Sequence, residues 1–230
     1  MIAVGGRADI CTAPPGELKP GAAVFYGVRP AVAHLWAQAK AEGRDWYYLD
    51  NAYFDACRET QFRVTKNAVM HDGSGVSDGA RFAALGLRID PWRSPGLRVV
   101  VCPSSDEYMR VVAGWTQDWA AFVIDRLQTR RQIVVRHKRD RRPLTEDLRD
   151  AWAVVTHTSC AAIEALLAGV PVFVTGEHPA ATLGKRDLTA IEAPLRAFHG
   201  ARRQLMEVLA DHQWTTEEIA SGAAWQRLAA

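Results

Sequence analysis

"VVTHTSCAAIEALLAGVPVF", Val154 to Phe173, decides the fold class. An apolar, β-branched run stops at His157, Thr158 and Ser159. Small residues with helical spacing follow, with Glu164 among them, and Gly169-Val170-Pro171 opens a second apolar run. Strand, helix and strand in that order imply parallel pairing through a right-handed crossover.

The same alternation extends upstream. "LRVVVCPSS" (Leu97–Ser105) is a buried strand running into a loop. Apolar residues at Trp119, Phe122, Val123 and Leu127 predict a helix from about Trp115 to Gln128. "QIVVRHK" (Gln132–Lys138) is a strand, "PLTEDLRD" (Pro143–Asp150) a short helix and "AWAVVTH" (Ala151–His157) a strand. Residues 97–175 therefore predict a Rossmann-like parallel sheet in an α/β fold.

The N-terminal part shows a weaker version of this pattern. "AAVFYGV" (Ala22–Val28) is an apolar run. Pro30 suits a first helical turn, Val32, Leu35, Trp36 and Ala39 keep helical spacing, and Gly43 ends the helix. "DWYYLDNAYF" (Asp45–Phe54) reads as strand then turn, and "FRVTKNAVM" (Phe62–Met70) as a strand. "HDGSGVSDG" (His71–Gly79) is a flexible loop, "RFAALGLRI" (Arg81–Ile89) fits a short helix or a strand, and "PWRSPG" (Pro91–Gly96) reads as a linker. The tail from Ile191 to Ala230 reads as helical. Two α/β halves of similar length follow.

A 230-residue chain with 48% hydrophobic residues can build one sizeable core or two small ones. No apolar stretch is long enough to span a bilayer. The start, "MIAVGGRADICTAPPGELKPG", breaks into Gly and Pro too early for a signal peptide, so a soluble cytoplasmic protein is expected. Cys11, Cys57, Cys102 and Cys160 form no CxxC pair and read as buried reduced thiols. Without HExxH or His/Cys clusters at zinc spacing, no metal site is expected. The net charge of +2 does not by itself call for nucleic acid.

Open parallel sheets bind ligands beyond the carboxyl ends of their strands, where His157, Thr158 and Ser159 stand. Ser159 suits an N-cap, and the free N–H groups of the next turn suit a phosphate. Glu164 is too far along the helix to cap it and can reach a ligand's hydroxyl groups. Equally, Ser159 can be a cap alone and Glu164 a water-facing acid.

The run from Glu164 to Val172 resembles the nucleotide-sugar site of glycosyltransferases with the GT-B fold. There a Glu five residues before the Gly of Gly-x-Pro binds the donor ribose, and Glu164 and Gly169-Val170-Pro171 keep that spacing. His157, Thr158 and Ser159 match in kind the residues that precede the helix and contact the diphosphate. Arg136 and Lys138, in "VVRHK", resemble the cations that hold that diphosphate. Asp-x-Asp is absent, which fits metal-independent transfer with no cofactor beyond the nucleotide-sugar substrate. The resemblance implies two Rossmann-like domains facing across a cleft, the N-terminal one minimal. These are residues 1–95, an acceptor-side domain, and 96–190, the donor domain, with helices over 191–230 packing back on the first. It places the acceptor-side base at Asp50. Equally, Asp50-Asn51 can simply form a turn. His71 and Asp72 are weaker alternatives for the base, and Arg63, Lys66 and Asn67 either line the cleft or alternate outward on a strand.

"YYLDNAYF", "FRVTKNA", "AWAVVTHTS" and "HQWTTEEIASGAAW" also resemble segments of short glycosyltransferase-like proteins encoded by bacteriophages. This implies DNA carrying hydroxymethylated pyrimidine as acceptor and the host cytoplasm as location. Acceptance by surface polysaccharide or another glycan, or nucleotide binding without transfer, remains open. Arg126, Arg130, Arg131, Arg136, Lys138, Arg139, Arg141 and Arg142 either track a DNA backbone or form a solvated basic face. Tyr47, Tyr48, Tyr53 and Phe54 either stack on an extruded base or fill the core. "GVSDG" (Gly75–Gly79) matches Gly-x-Ser-x-Gly, but a polar loop precedes it where a hydrolase elbow needs a strand.

Overall fold

The computed structural model describes residues 16–229. In chain order the elements begin with β1 (Ala23–Tyr26), α1 (Ala33–Ala41), β2 (Trp46–Asn51), β3 (Gln61–Lys66), α2 (Ala80–Ala84) and β4 (Arg98–Cys102). They continue through α3 (Asp106–Val111), α4 (Trp119–Arg126), β5 (Gln132–Val135), α5 (Leu144–Leu148), β6 (Ala151–Thr156) and α6 (Ala161–Leu167). β7 (Val172–Val174), α7 (His199–Asp211), β8 (Gln213–Thr215), α8 (Thr216–Ala220) and α9 (Ala223–Ala229) complete the chain. The strands form two four-stranded sheets. The chain divides into two compact units: residues up to His71 with those from His212, and Asp72–Asp211.

The second unit holds the sheet β5-β4-β6-β7, with every neighbouring pair parallel. This is the Rossmann-like arrangement. From β4 the chain goes to one side for β5, then crosses to the other for β6, so the strand order reverses between β4 and β6. β4, β6 and β7 are buried on both faces, which is why they read as near-continuous apolar runs, while β5 forms a half-exposed edge. Val99, Val101, Val155 and Phe173 pack there with Trp119 and Val123 of α4 and with Ile191.

α6 lies close to the sheet because Ala162 and Ala165 are small and buried beside Ile163 and Leu166. It ends at Gly169, whose φ is +71° and where a Cβ would run into the Pro91 carbonyl. The Asp90 and Arg93 N–H groups donate to Leu167 O and Gly169 O, both at 2.8 Å. Arg202 of α7, 1% exposed, donates Nη1 to Leu166 O at 2.9 Å and lies 4.0 Å over the Trp92 ring. A cation there also favours the negative end of the helix dipole. "PWRSPG" is thus a strap fastened to α6. The units part at 71/72 and 211/212, and not at the expected 95/96, because these bonds hold residues 72–95 and α7 in the second unit.

The first unit departs from the expected Rossmann-like sheet. Its order is β1-β2-β3-β8, with β1 parallel to β2 but β2–β3 and β3–β8 antiparallel. Only residues 52–60 join β2 to β3, whereas a parallel crossover takes a dozen or more. On one face Trp46 and Tyr48 pack with Phe25 and with Trp36 of α1 at ring separations of 5.3–6.3 Å. On the other, Leu49, Val64 and Trp214 pack with Ile219, Ala224 and Trp225, so α8 and α9 cover this sheet. Tyr48, Tyr53 and Phe54 are buried core residues and Tyr47 sits edge-on to Trp225 at 4.6 Å. The base-stacking use of these rings is corrected: the core occupies their faces.

Cys57 and Cys102 are buried free thiols and Cys160 is a partly buried one, while Cys11 lies outside the described residues. Among the described residues no helix is long and apolar enough to cross a membrane.

Candidate functional site

The carboxyl ends of β4, β6 and β7 meet at one edge of the parallel sheet and are tied by hydroxyl groups. Thr156 Oγ1 donates to Cys102 O at 2.7 Å and accepts the Ser159 N–H at 3.1 Å. Ser104 Oγ accepts the Thr158 N–H at 3.0 Å and lies 2.8 Å from Thr158 Oγ1. Ser104 and Thr158 therefore bridge β4 and β6 where the strand order reverses, the usual ligand crevice of such sheets. Thr158 is buried in this bridge. Ser159 Oγ accepts the Ala161 N–H at 3.3 Å and its carbonyl accepts the Ala162 N–H at 3.1 Å. It acts as the capping hydroxyl although Cys160 occupies the formal cap position. Glu164 is half-buried on α6.

His157 is walled by aromatic rings. Tyr108, Trp115 and Trp119 stand 6.5, 6.3 and 6.2 Å from its ring centroid. A Cβ on Gly176 would lie 2.8 Å from the imidazole, so only glycine lets the ring rest there. His157 Nδ1 is 2.9 Å from Thr175 Oγ1, which accepts the Trp119 indole N–H at 3.2 Å. Burial, then the positive charge of Arg186, pushes the His157 pKa below the ordinary histidine value. Arg186 itself is exposed.

Arg136 and Lys138 part company. Arg136 Nη1 binds Asp147 Oδ2 at 3.1 Å, and Arg142 binds Asp147 Oδ1 at 2.7 Å. The Asp147 side chain is 2% exposed. One buried carboxylate thus clamps both ends of the loop after β5. Lys138, Arg139 and Arg141 project from it into solvent. Beneath the loop, burial drives the Cys102 thiol up to about 12, leaving it a protonated, inert core residue.

The first-unit candidates are woven into their own sheet. Asp50 and Arg63 are directly opposed on β2 and β3 and form a 2.7 Å ion pair. The same carboxylate accepts from Tyr48 Oη at 2.7 Å and from the Asn51 N–H at 2.8 Å. Arg63 also donates to Asn51 O at 2.8 Å. Lys66 pairs with Asp45 at 2.8 Å. Asn67, at φ 55°, accepts the Trp46 N–H and donates to Asp45, both at 2.9 Å, closing the turn after β3. The His71 ring stacks 3.8 Å from that of His212. Ser77 Oγ accepts the Gly79 N–H at 3.0 Å in a loop with no strand before it, so the hydrolase elbow is absent.

Sequence reasoning missed Ser104, Thr175, Trp119 and Arg186. Ser104 was legible as a hydroxyl after a buried strand. Thr175 and Arg186 carry no pattern of their own and are found through their neighbours. Among the described residues no cluster of three His, Cys, Asp or Glu is placed to hold a metal ion.

No family model matches the chain, and no curated protein matches it. A solved structure that is similar is Thermosulfurimonas dismutans KpsC, a beta Kdo 2,4 transferase. It shares 14% identity with a TM-score of 0.45, over 80% of this chain and 78% of that one.

Proposed function

We propose that the second unit binds a nucleotide sugar and that the protein transfers the sugar to a hydroxyl acceptor without a metal. The observation that carries this reading is the Ser104–Thr158 bridge at the strand-order reversal. It sets His157, Ser159 and the α6 turn at one edge, with Glu164 five residues before Gly169-Val170-Pro171. In this reading backbone N–H groups near Ser159 and the Arg186 charge face the diphosphate, and Glu164 takes the ribose hydroxyls. Arg186 takes the cationic part given to Arg136, because Asp147 already engages Arg136. A cation beside the leaving diphosphate stabilises the charge that develops as the glycosidic bond breaks.

For the acceptor we propose a polyanion, with hydroxymethylpyrimidine DNA as the specific candidate. The solvated Lys138, Arg139 and Arg141 on the clamped loop support this. Nucleotide binding without transfer is favoured by one observation: Asp50, the expected base, is held by Tyr48 and Arg63.

The test is calorimetry with nucleoside diphosphates and nucleotide sugars. Incubation with hydroxymethylated DNA, unmodified DNA and an acidic polysaccharide then follows, with products read by mass spectrometry. A sugar adduct on the hydroxymethylated base supports the full reading. An adduct on the polysaccharide alone moves the acceptor. Binding with no adduct leaves a nucleotide-binding module, and no binding overturns the proposal.

A further inference from the structure

The geometry points to Trp119 and Thr175 as positioning residues that lock His157 in the tautomer with its proton on Nε2. His157 then meets a ligand as a hydrogen-bond donor and not as a proton acceptor. An indole N–H can only donate, so the 3.2 Å contact turns a lone pair of Thr175 Oγ1 toward Trp119. Thr175 has one hydroxyl proton left to place, and the acceptor within reach is His157 Nδ1 at 2.9 Å. In this arrangement all three groups are satisfied. In the opposite tautomer both neighbours donate to Thr175, and its own proton has no acceptor among the contacts at this position.

The backbone fixes the relay. The Thr175 N–H donates to Thr156 O at 3.0 Å and the Gly176 N–H to His157 O at 3.2 Å, so the ends of β6 and β7 are zipped together around it. Gly176 leaves the space the ring occupies, and Tyr108 and Trp115 wall it. The charge of Arg186 further disfavours a second ring proton.

The consequence deepens the donor-site reading and rests on it for the ligand's identity. An Nε2–H donor suits an anionic or carbonyl oxygen, such as a diphosphate oxygen. It cannot take the proton from an attacking hydroxyl, so the base must be another group. The relay itself needs no ligand to be true.

The test is nitrogen–proton correlation spectroscopy of the imidazoles in the ligand-free, isotope-labelled full chain. His157→Gln assigns the signal. We expect Nε2 in the range of a protonated nitrogen and Nδ1 in that of an acceptor. Thr175→Val keeps shape and removes the hydroxyl, and should move His157 toward a tautomer mixture. Trp119→Phe keeps an aromatic ring, frees the Thr175 lone pair and should give a smaller shift in the same direction. A His157 protonated on Nδ1 in the unmodified chain overturns the inference. So does an unchanged His157 signal in Thr175→Val when the remaining histidine signals show an intact fold. If Thr175→Val does not fold, the unmodified chain and Trp119→Phe decide. Adding a nucleoside diphosphate to the same sample separates the two claims. The locked tautomer without any ligand-induced shift sinks only the donor site, and a shift with the wrong tautomer sinks only the relay.

Discussion

The two sheets have the same number of strands and use polar residues in opposite ways. In the all-parallel sheet β5-β4-β6-β7 every carboxyl end falls on one edge. Ser104, His157, Thr158 and Thr175 collect there, outside the buried strands. In the mixed sheet β1-β2-β3-β8 the strand β3 runs against the other three, so the carboxyl ends are divided between two edges. Its polar residues pair inside the sheet, Asp50 across from Arg63, with Tyr48 as a further donor. The parallel sheet thus gathers polar side chains at one edge, and the mixed sheet pairs them across neighbouring strands.

The sharpest way to break the parallel sheet is at the turn that feeds β7. Gly169→Ala must hold a left-handed conformation with its methyl in the Pro91 carbonyl. We expect a loss of at least about 3 kcal/mol in urea denaturation. A neutral result would mean that the strap over α6 moves freely.

The two carboxylates compare the sheets directly. Asp147 is 2% exposed and holds two arginines, and Asp50 is 29% exposed and holds one. Removing one partner of a buried pair strands the other, so Asp147→Asn should cost about 3–4 kcal/mol. Asp50→Asn should cost about 1–3 kcal/mol, because water reaches part of the pair. If Asp50→Asn proves the costlier, the scaffold role belongs more to the first unit than burial implies. If it abolishes transfer at unchanged stability, Asp50 is the base after all.

Glu164→Ala tests the edge itself. Donor affinity in calorimetry should weaken by about 1–3 kcal/mol, the loss of a charge-assisted hydrogen bond, with the melting temperature little changed. Unchanged affinity would make Glu164 a surface acid.

The smallest effect expected is on pH dependence. His157 has a folded pKa below its unfolded value, so the unfolded chain binds the proton more readily. Its contribution is full above the ordinary histidine range and is lost as pH falls from that range toward the lowered value. The melting temperature of the unmodified chain should drop more on acidification through this window than that of His157→Gln. Parallel curves would show that burial of the imidazole does not bear on folding.

The sequence by itself determined the second sheet, because burial on both faces makes each strand a continuous apolar run. Leu97–Cys102, Ala151–Thr156 and Val172–Val174 stand out for that reason, as do Gly169-Val170-Pro171 and the hydroxyl cluster at Thr158-Ser159. Short elements were less legible. α3 is marked only by Ser105 with Asp106 and Glu107, and β8 is three residues beside the Thr215–Glu218 capping box. The direction of β3 was legible in the short connection from β2, but tertiary structure alone paired it with β8, about 150 residues further along the chain. It alone bound Pro91–Gly96 to α6, through backbone groups that every residue type carries. It alone turned Arg136 onto Asp147 and brought Thr175 and Trp119 to His157, because a hydrogen bond between distant segments exists only when the packing of both has fixed their separation.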